Sequence, residues 1–289
     1  MHSNVQQTLQ DIGYQLDNNI YPVVKNGGVI MPCELSVTSN MGEETKDEKR
    51  TSRRSKTRAW KRTTRRQRPS NKTTSLICTD IQTQYESELD AVYKAYPKTQ
   101  VWYQQDGLIL LTESEILFGL NRPATFLVVI PYAKNLVVKG WGFWVGSIDI
   151  DWIGPRHTNF PDGSICAFEP SDATWTKSDS LVELLDLYSF WALRHLYLKI
   201  YGRWPGQQAV QFPYERILEL RSDEYCGCKQ SDKLYAECCQ RKDLKNNHVA
   251  NAVNFILSCS GGHRKPPETI INFIHRQSNP PKIVELISV

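Results

Sequence analysis

One cysteine, Cys166, follows a bend in the stretch RHTNFPDGSICAFEPSDATW at residues 156–175. His157 and Asn159 lie upstream in the same loop, and a Pro-Asp-Gly turn separates them from the thiol. A nucleophilic thiol needs a partly exposed site and donors that stabilise the oxyanion formed when it attacks a carbonyl, and an asparagine amide is such a donor. The loop therefore favours a nucleophilic Cys166. The alternative is a buried and inert thiol, the commoner state of a free cysteine.

A second group of thiols lies in the stretch YCGCKQSDKLYAECCQRKD, which contains Cys226, Cys228, Cys238 and Cys239. Four thiolates within fourteen residues can surround a tetrahedral ion, and Zn²⁺ prefers soft ligands in that geometry. Because four protein ligands leave no open position, we expect such a zinc ion to be structural. The alternative is a set of reduced thiols without a metal.

An amphipathic helix is predicted ahead of the strands that must carry the Cys166 loop. Thr79 and Gln82 form a capping-box pattern at its start, and Pro97 ends it. Six apolar residues recur at spacings of three and four and would share one face of this helix: Ile81, Tyr85, Leu89, Val92, Tyr93 and Tyr96.

Several short strands are predicted between this helix and the Cys166 loop. Each is an apolar run, or an alternation of apolar and polar residues, bounded by turn signals. They cover residues 107–111, 115–119, 124–132, 136–146 and 147–154. The third and fourth are separated by Ala-Lys-Asn, which fits a tight hairpin. This order of elements indicates an α+β fold with an antiparallel meander sheet.

Three helices are predicted after the loop. A capping box that starts at Ser180 begins a long helix that ends at Gly202, and His195 on its apolar face is expected to be a core histidine. Two further helices are predicted near residues 244–258 and 267–276.

The order of helix, meander, His-x-Asn, turn, Gly-Ser-Ile-Cys, tryptophan and long helix resembles the ubiquitin-conjugating (E2) fold over roughly residues 79–205. The motif reads His157-Thr158-Asn159 and then Gly163-Ser164-Ile165-Cys166, where the eukaryotic pattern is His-Pro-Asn and then Gly-x-(Ile/Leu/Val)-Cys-Leu. The stretch looks still closer to the bacterial E2-like proteins of antiphage (CBASS-type) operons, including those that modify cGAS-like nucleotidyltransferases.

This resemblance implies a transferase whose active-site residues are Cys166, Asn159 and His157. Cys166 would carry the C-terminus of a ubiquitin-like protein or a cGAS-like nucleotidyltransferase as a thioester and pass it to an amine. Asn159 would donate to the oxyanion, and His157 would stabilise the loop through its ring nitrogens. The sequence contains no Gly-rich phosphate loop, so activation of that C-terminus would need an E1-like partner.

The four-cysteine stretch resembles the SEC-C type zinc motif, in which Cys-x-Cys and a short turn precede Cys-Cys or Cys-His. Tyr235 stands where that family has an aromatic residue. The resemblance implies a structural zinc ion on Cys226, Cys228, Cys238 and Cys239.

The chain is predicted to contain four regions. They are an N-terminal segment without an assigned role (1–40), a basic disordered linker (41–75), an E2-like catalytic domain (76–205) and a zinc-binding helical extension (206–289). Residues 43–72 carry a net charge of +9 in a chain whose net charge is +4. Such a segment cannot bury enough apolar surface to offset the entropy of ordering it, and it could bind nucleic acid through phosphate contacts.

Membrane insertion and secretion are not predicted. The longest nearly apolar run, at residues 124–132, is too short to span a bilayer, and the N-terminus lacks the pattern of a secretory signal. We therefore expect a cytoplasmic protein whose cysteines stay reduced.

Three functions stay open at the level of the sequence. The first is an E2-like conjugating enzyme in bacterial antiphage defence. The second is a catalytically silent E2-like module that holds a partner protein. The third is a nucleic-acid-associated zinc protein that uses the basic arm at residues 43–72.

Overall fold

A computed structural model of the chain describes the protein over most of its C-terminal three quarters and over short pieces of its N-terminal quarter. The described residues are 10–13, 16–17, 23–25, 28–30, 71–115, 123–146, 149–168, 174–228, 232–258, 264–276 and 279–287. Nearly all of the basic arm and most of the predicted strand at 115–119 lie outside these residues.

A five-stranded antiparallel sheet forms the centre of the fold, and its strands follow one another in chain order. They are β3 (Gln100–Gln104), β4 (Gly107–Glu113), β5 (Thr125–Pro131), β6 (Lys139–Val145) and β7 (Ile150–Trp152). A separate short hairpin pairs β1 (Val23–Lys25) with β2 (Gly28–Ile30). The α+β class and the antiparallel meander are therefore as predicted.

The strands differ from the predicted ones by one to three residues at most of their ends, and two larger differences have physical causes. Strand β3 was not predicted, because its side chains are only half-buried or exposed at the edge of the sheet and give a weak apolar pattern. The connection between β5 and β6 spans residues 132–138 and is longer than the predicted tight hairpin. Val137 is apolar but 63% exposed. The apolar run that predicted a strand from residue 136 therefore begins in the loop before β6.

Two long helices, α1 (Asn71–Ala95) and α2 (Leu181–Tyr201), pack on one face of the sheet. Helix α1 begins at Asn71 and not at Thr79, so the predicted start was wrong: the capping-box pattern lies inside the helix. Tyr93 was also misplaced on the apolar face, since it is 41% exposed. The predicted start of α2 is confirmed, because the Ser180 Oγ accepts the Val182 N–H at 3.1 Å.

Within its described residues, the C-terminal part contains five short helices and one 3₁₀ turn. They are α3 (Pro213–Glu219), the 3₁₀ turn Tyr235–Glu237, α4 (Gln240–Asp243), α5 (Asn246–Ser258), α6 (Glu268–Arg276) and α7 (Ile283–Ile287). The two helices predicted near 244–258 and 267–276 correspond to α5 and α6. Helices α6 and α7 pack on the sheet face that α1 and α2 leave open.

The sheet therefore has an apolar core on each side. Successive residues of β4 point to opposite faces, so Leu108 and Leu110 join the core beneath α1 and α2 while Ile109 joins the core beneath α6 and α7. Such double coverage explains why β4 and β5 are almost continuously apolar and buried. Gly140 in β6 lets α2 approach closely, because a Cβ there would lie 2.5 Å from the Tyr188 ring.

Candidate active site and metal centre

The Cys166 loop leaves β7 and doubles back on itself before α2. Thr158 and Ile165 form an antiparallel bridge, and the Cys166 N–H donates to the His157 carbonyl at 3.0 Å. At the tip, Gly163 has a φ of +65°, a conformation that a side chain would strain. The Ile165 N–H donates to the Gly140 carbonyl at 2.7 Å and thereby joins the loop to the sheet. His157 and Cys166 are thus adjacent, and a backbone hydrogen bond joins them.

Asp162 anchors the tip of this loop, a role that sequence reasoning missed. Its carboxylate accepts the Ser164 N–H at 3.0 Å and forms a buried ion pair with Lys139 at 2.6 Å. The Trp141 indole N–H donates to the Asp162 carbonyl at 2.8 Å. The Pro-Asp-Gly turn was the available signal, because Asp commonly accepts backbone N–H groups in such turns. Strand β6 therefore fixes where the thiol is presented.

The Cys166 thiol is half-buried, and two cavities meet at it. Its Sγ lies 3.9 Å from the Phe168 carbonyl oxygen. One cavity has a volume of about 140 Å³ and the other about 370 Å³, and both are partly open to solvent. Access from two sides is what a thiol needs if it is to hold one group while another approaches.

The smaller space, the aromatic cavity, is walled mainly by rings. Its lining comprises His157, Cys166, Ala167, Phe168, Leu187, Phe190, Trp191, Arg194, Trp204, Gln208 and Ala209. The Arg194 guanidinium carbon lies 4.4 Å from the centroid of the Phe190 ring and 5.9 Å from that of the Trp204 ring. The walls thus offer apolar and aromatic surface with one cation stacked on it.

The larger space, the polar cavity, carries an acidic pair on the side contributed by α3. Arg264 bridges Glu219 at 2.5 Å and Glu215 at 2.9 Å. Two carboxylates and one guanidinium give this wall a formal charge of −1. Burial raises the pKa of both carboxyl groups, and the neighbouring Arg264 only partly offsets that effect. Glu215, Glu219 and Arg264 are far from Cys166 in sequence and were not predicted.

His157 is held in place by its neighbours and stays neutral. Its ring lies 4.4 Å from the Trp204 ring, centroid to centroid, and its Nε2 lies 3.1 Å from the Gln208 Oε1. The Gln208 Nε2 donates to the Tyr225 carbonyl at 2.8 Å, so Oε1 faces the imidazole and Nε2 of His157 must carry the hydrogen. Burial, and then the charge of Arg156, lower the His157 pKa well below its usual value.

Asn159 directs its amide back into the loop. The Nδ2 group donates to the Ser164 Oγ at 3.2 Å and to the Ile165 carbonyl at 3.3 Å. The residue itself is exposed beside the polar cavity. These contacts tie the two arms of the loop together, and the predicted donation to an oxyanion would require the amide to leave at least one of them.

Arg156 joins the loop to the C-terminal part of the chain through a buried network. Its guanidinium forms an ion pair with Glu224, in which Nη1 and Oε1 lie 2.9 Å apart, and donates to the Gln208 Oε1 at 2.8 Å. Its carbonyl accepts the His195 Nε2–H at 2.7 Å. Burial lowers the His195 pKa to about 3, so the ring is neutral, and His195 is a core histidine as predicted.

Cys226, Cys228, Cys238 and Cys239 form a tight cluster. Their four Sγ atoms all lie within 4.8 Å of one another, with Cys228 and Cys238 at 3.5 Å and Cys238 and Cys239 at 3.7 Å. A tetrahedral ion with metal–sulfur bonds of about 2.3 Å requires sulfur–sulfur distances of about 3.8 Å. The donor set and its geometry could therefore hold a metal ion.

The cysteine cluster also positions a wall of both cavities. The segment 207–211 runs beside it, with the Val210 N–H donating to the Gly227 carbonyl at 2.9 Å. Gln208 in the same segment holds His157, and Ala209 lines both cavities. A side chain at Gly227 would collide with this segment, since its Cβ would lie 2.7 Å from the Val210 nitrogen. The cluster is thus structurally linked to the Cys166 groove, the name used here for the aromatic and polar cavities together.

Comparison of the chain with protein-family models, curated proteins and solved structures finds no match. The resemblances drawn from the sequence therefore stand on the motifs quoted for them. Over the described part of the chain, every helix is too short or too polar to cross a membrane.

Proposed function

We propose that this protein is an E2-like transferase that carries the C-terminus of another protein as a thioester on Cys166. The observation that carries this proposal is the placement of a half-buried thiol, on an anchored loop, at the junction of two dissimilar cavities. The order of helix, antiparallel meander, cysteine loop and long helix supports the proposal of an E2-like fold.

The first step is a thiol exchange at a carbonyl. The Cys166 thiolate forms a bond from Sγ to the carbonyl carbon of an activated C-terminus, and the bond from that carbon to the donor sulfur breaks. The released thiolate takes up the proton that Cys166 lost. Because one thioester replaces another, the step needs little driving force, and a small thiolate fraction at neutral pH suffices for it.

The second step transfers the acyl group to an amine, which we assign to the polar cavity. The net negative wall formed by Glu215, Glu219 and Arg264 attracts an ammonium group such as that of a lysine side chain. The amine must lose a proton before it attacks, and a carboxylate whose pKa is raised by burial accepts that proton better than an exposed one. As the carbon–nitrogen bond forms, the bond from the carbonyl carbon to Sγ breaks and Cys166 leaves as a thiolate.

We further propose that the four-cysteine cluster holds zinc. Its four donors are cysteine sulfurs that all lie within 4.8 Å of one another, a soft donor set that suits Zn²⁺, and four protein ligands would give the ion a structural role. The cluster would hold the segment 207–211 in place, and that segment contacts His157 in the Cys166 loop.

The partners follow from the chemistry and from the resemblance. The acyl donor is a ubiquitin-like protein or a cGAS-like nucleotidyltransferase C-terminus, activated by an E1-like enzyme, and the setting is antiphage defence. We place the protein in the reducing cytoplasm, where cysteine side chains stay as thiols.

One observation favours a catalytically silent binding module as the second candidate. The amide of Asn159 is engaged with Ser164 and Ile165, and the Nε2 of His157 is engaged with Gln208. A partner protein would then use the same groove without a covalent bond. A role in nucleic-acid binding depends on the basic arm, which lies largely outside the described residues.

The test is a two-step transfer assay with the metal-loaded full-length protein and a model peptide thioester. Intact mass should show one hydroxylamine-labile acyl group on the protein and none on Cys166→Ala. Free lysine should then discharge the adduct, and Glu219→Gln should slow the discharge more than the loading. Partner binding that survives Cys166→Ala, without any adduct on the unaltered protein, would instead support the binding module.

A further inference from the structure

We propose that Gln208 is a positioning residue for Cys166, because it holds His157 in a strained backbone conformation and links it to the four-cysteine cluster. This role rests on the proposed thioester at Cys166 and adds a control of that thiol by a side chain outside its loop. Through Gln208, metal binding at the cluster and the geometry of the Cys166 loop depend on each other.

The backbone of His157 is strained. Its φ is +50°, in the left-handed region that glycine favours and that a residue with a β-carbon seldom adopts. A residue keeps such a conformation only when its surroundings hold it there, and such residues cluster at functional sites. The His157 carbonyl accepts the Cys166 N–H and the Trp191 indole N–H, each at 3.0 Å. A return to negative φ would reorient this carbonyl and break its hydrogen bond to Cys166.

Gln208 holds the His157 ring with an amide that is itself fixed at both ends. Its Oε1 accepts the His157 Nε2–H at 3.1 Å and the Arg156 Nη2–H at 2.8 Å. Its Nε2 donates to the Tyr225 carbonyl at 2.8 Å. Because the oxygen accepts and the nitrogen donates, these three partners allow one orientation of the amide. The Trp204 ring packs on the same imidazole at 4.4 Å, centroid to centroid.

The backbone that Gln208 contacts belongs to the four-cysteine cluster. Tyr225 directly precedes Cys226, and the Gly227 carbonyl on its other side accepts the Val210 N–H at 2.9 Å. A metal ion on the four sulfurs would fix this stretch, and the Tyr225 carbonyl would then fix Gln208. Coupling of this kind is reciprocal, so a change that releases Gln208 must weaken metal binding by the same factor by which metal binding holds Gln208.

The first test compares Gln208→Leu with Gln104→Leu in the full-length, zinc-loaded protein. Gln104 is the matched control, since its half-buried amide also joins two segments: it accepts the Ile283 N–H at 3.0 Å and donates to the Pro281 carbonyl at 2.9 Å. Gln208→Leu should speed hydrogen exchange of the Cys166 amide about fivefold to tenfold, the factor of one hydrogen bond, and slow loading by a peptide thioester about as much. Gln104→Leu should change neither rate.

A double-mutant cycle shows whether Gln208 acts through His157. Glycine adopts a φ of +50° without strain, so the backbone of a His157→Gly protein needs no holding. Gln208→Leu should then change exchange of the Cys166 amide less than about twofold. His157→Ala, which keeps the strain and loses the ring, should speed this exchange more than His157→Gly does. Additive effects of Gln208→Leu and His157→Gly would show that Gln208 does not act through His157 and would overturn the proposal.

The affinity for Zn²⁺ tests the link to the cluster from the other side. In competition with a chelator of known affinity, Gln208→Leu should bind Zn²⁺ about fivefold to tenfold more weakly than the unaltered protein, and Gln104→Leu should bind it equally well. An unchanged affinity in Gln208→Leu would overturn the link between the cluster and Cys166, and so would a protein that binds no Zn²⁺.

The outcomes distinguish the role of Gln208 from the proposed function. No loading of Cys166 in any variant would overturn the acyl carrier, while amide exchange and zinc affinity would still decide the role of Gln208. Normal exchange and loading in Gln208→Leu would overturn the positioning role and leave the acyl carrier standing. Gln208→Asn, which is one methylene too short to reach both His157 and Tyr225, repeats the test if Gln208→Leu does not fold. Unchanged amide exchange in β5 shows that a variant keeps its fold.

Discussion

The Cys166 loop and the four-cysteine cluster present the same side chain in opposite ways. Cys166 is half-buried between two cavities, with the carbonyl oxygen of Phe168 3.9 Å from its sulfur. The four sulfurs of the cluster face one another within 4.8 Å. A thiol that faces a cavity can react with something that arrives, whereas a thiol that faces three others is suited to hold an ion. The surroundings and not the residue type separate the two roles.

The two sites differ, but they share a wall. Gln208 contacts His157 on one side and the backbone of Tyr225, next to Cys226, on the other. The Arg156–Glu224 ion pair lies in the same network. The cluster therefore shapes the groove, although none of its four cysteines is among the described residues that line either cavity.

The largest effect is expected from Cys228→Ser, compared with the same change at the half-buried Cys166. Cys228→Ser should lower the metal content below one equivalent and destabilise the protein by several kcal/mol, on the order of 5, because metal binding is coupled to folding. Cys166→Ser should keep one equivalent of metal and nearly the same midpoint of thermal unfolding. Metal analysis and calorimetry measure both. A Cys228→Ser protein with full metal content would contradict the assignment of the cluster.

The next effect concerns the wall between the sites. Glu224→Gln leaves the Arg156 guanidinium buried without its counter-charge, so we expect a loss of about 3–5 kcal/mol in the free energy of unfolding. Glu113→Gln is the matched control, since its ion pair with Lys98 is solvent-exposed and should contribute less than about 1 kcal/mol. Urea denaturation of the two variants makes the comparison. Equal losses would show that the Arg156 network contributes no more than a surface pair.

A smaller effect is expected when the pH is lowered. Burial lowers the pKa of His195 to about 3, whereas the unfolded chain takes up a proton near pH 6.5. The unfolded state therefore binds more protons below pH 6.5, and stability is complete above that pH and falls as the pH drops toward 3. At pH 5, proton uptake by His195 in the unfolded chain lowers the free energy of unfolding by about 2 kcal/mol relative to its value above pH 7. His195→Gln, which keeps a donor for the Arg156 carbonyl, should flatten the fall in unfolding free energy between pH 7 and pH 5. An unchanged slope would contradict a neutral, buried His195.

The smallest effect is expected from Asn159→Ala. Because its amide donates within the loop, the change should cost about 1 kcal/mol of stability and slow loading and discharge of Cys166 by the same small factor, less than about tenfold. The oxyanion role predicted from the sequence gives a different pattern. It predicts a loss of about 10²- to 10³-fold confined to the discharge step. Single-turnover kinetics of the two steps decide between them.

Much of the fold followed from local pattern. The Ser180 cap, the helical periodicity of α2 and the apolar runs of the central strands are all local features of the chain, so they can be predicted from the sequence. Strand β3 was missed because an edge strand with half-buried side chains has a weak pattern. The start of α1 was misplaced because a capping-box pattern is also compatible with the interior of a helix.

The site was predictable only in its loop and in its cysteine cluster. Cys166 and His157 are close in sequence, and four cysteines within fourteen residues are typical of a metal site. The walls of the groove come from residues such as Arg194, Glu219 and Arg264, which are far apart in sequence and meet only through packing. Their types are common on helices and in loops, so no spacing distinguished them.

The most direct test of the account maps where a single acyl group resides. The metal-loaded protein is mixed with one equivalent of a peptide thioester, quenched in acid and digested, and each cysteine-containing peptide is weighed. We predict that the acyl group is found on Cys166 and leaves it when free lysine is added, while the four cluster cysteines stay unmodified. An acyl group spread over the cluster cysteines, or one that Cys166→Ala retains, would contradict the account.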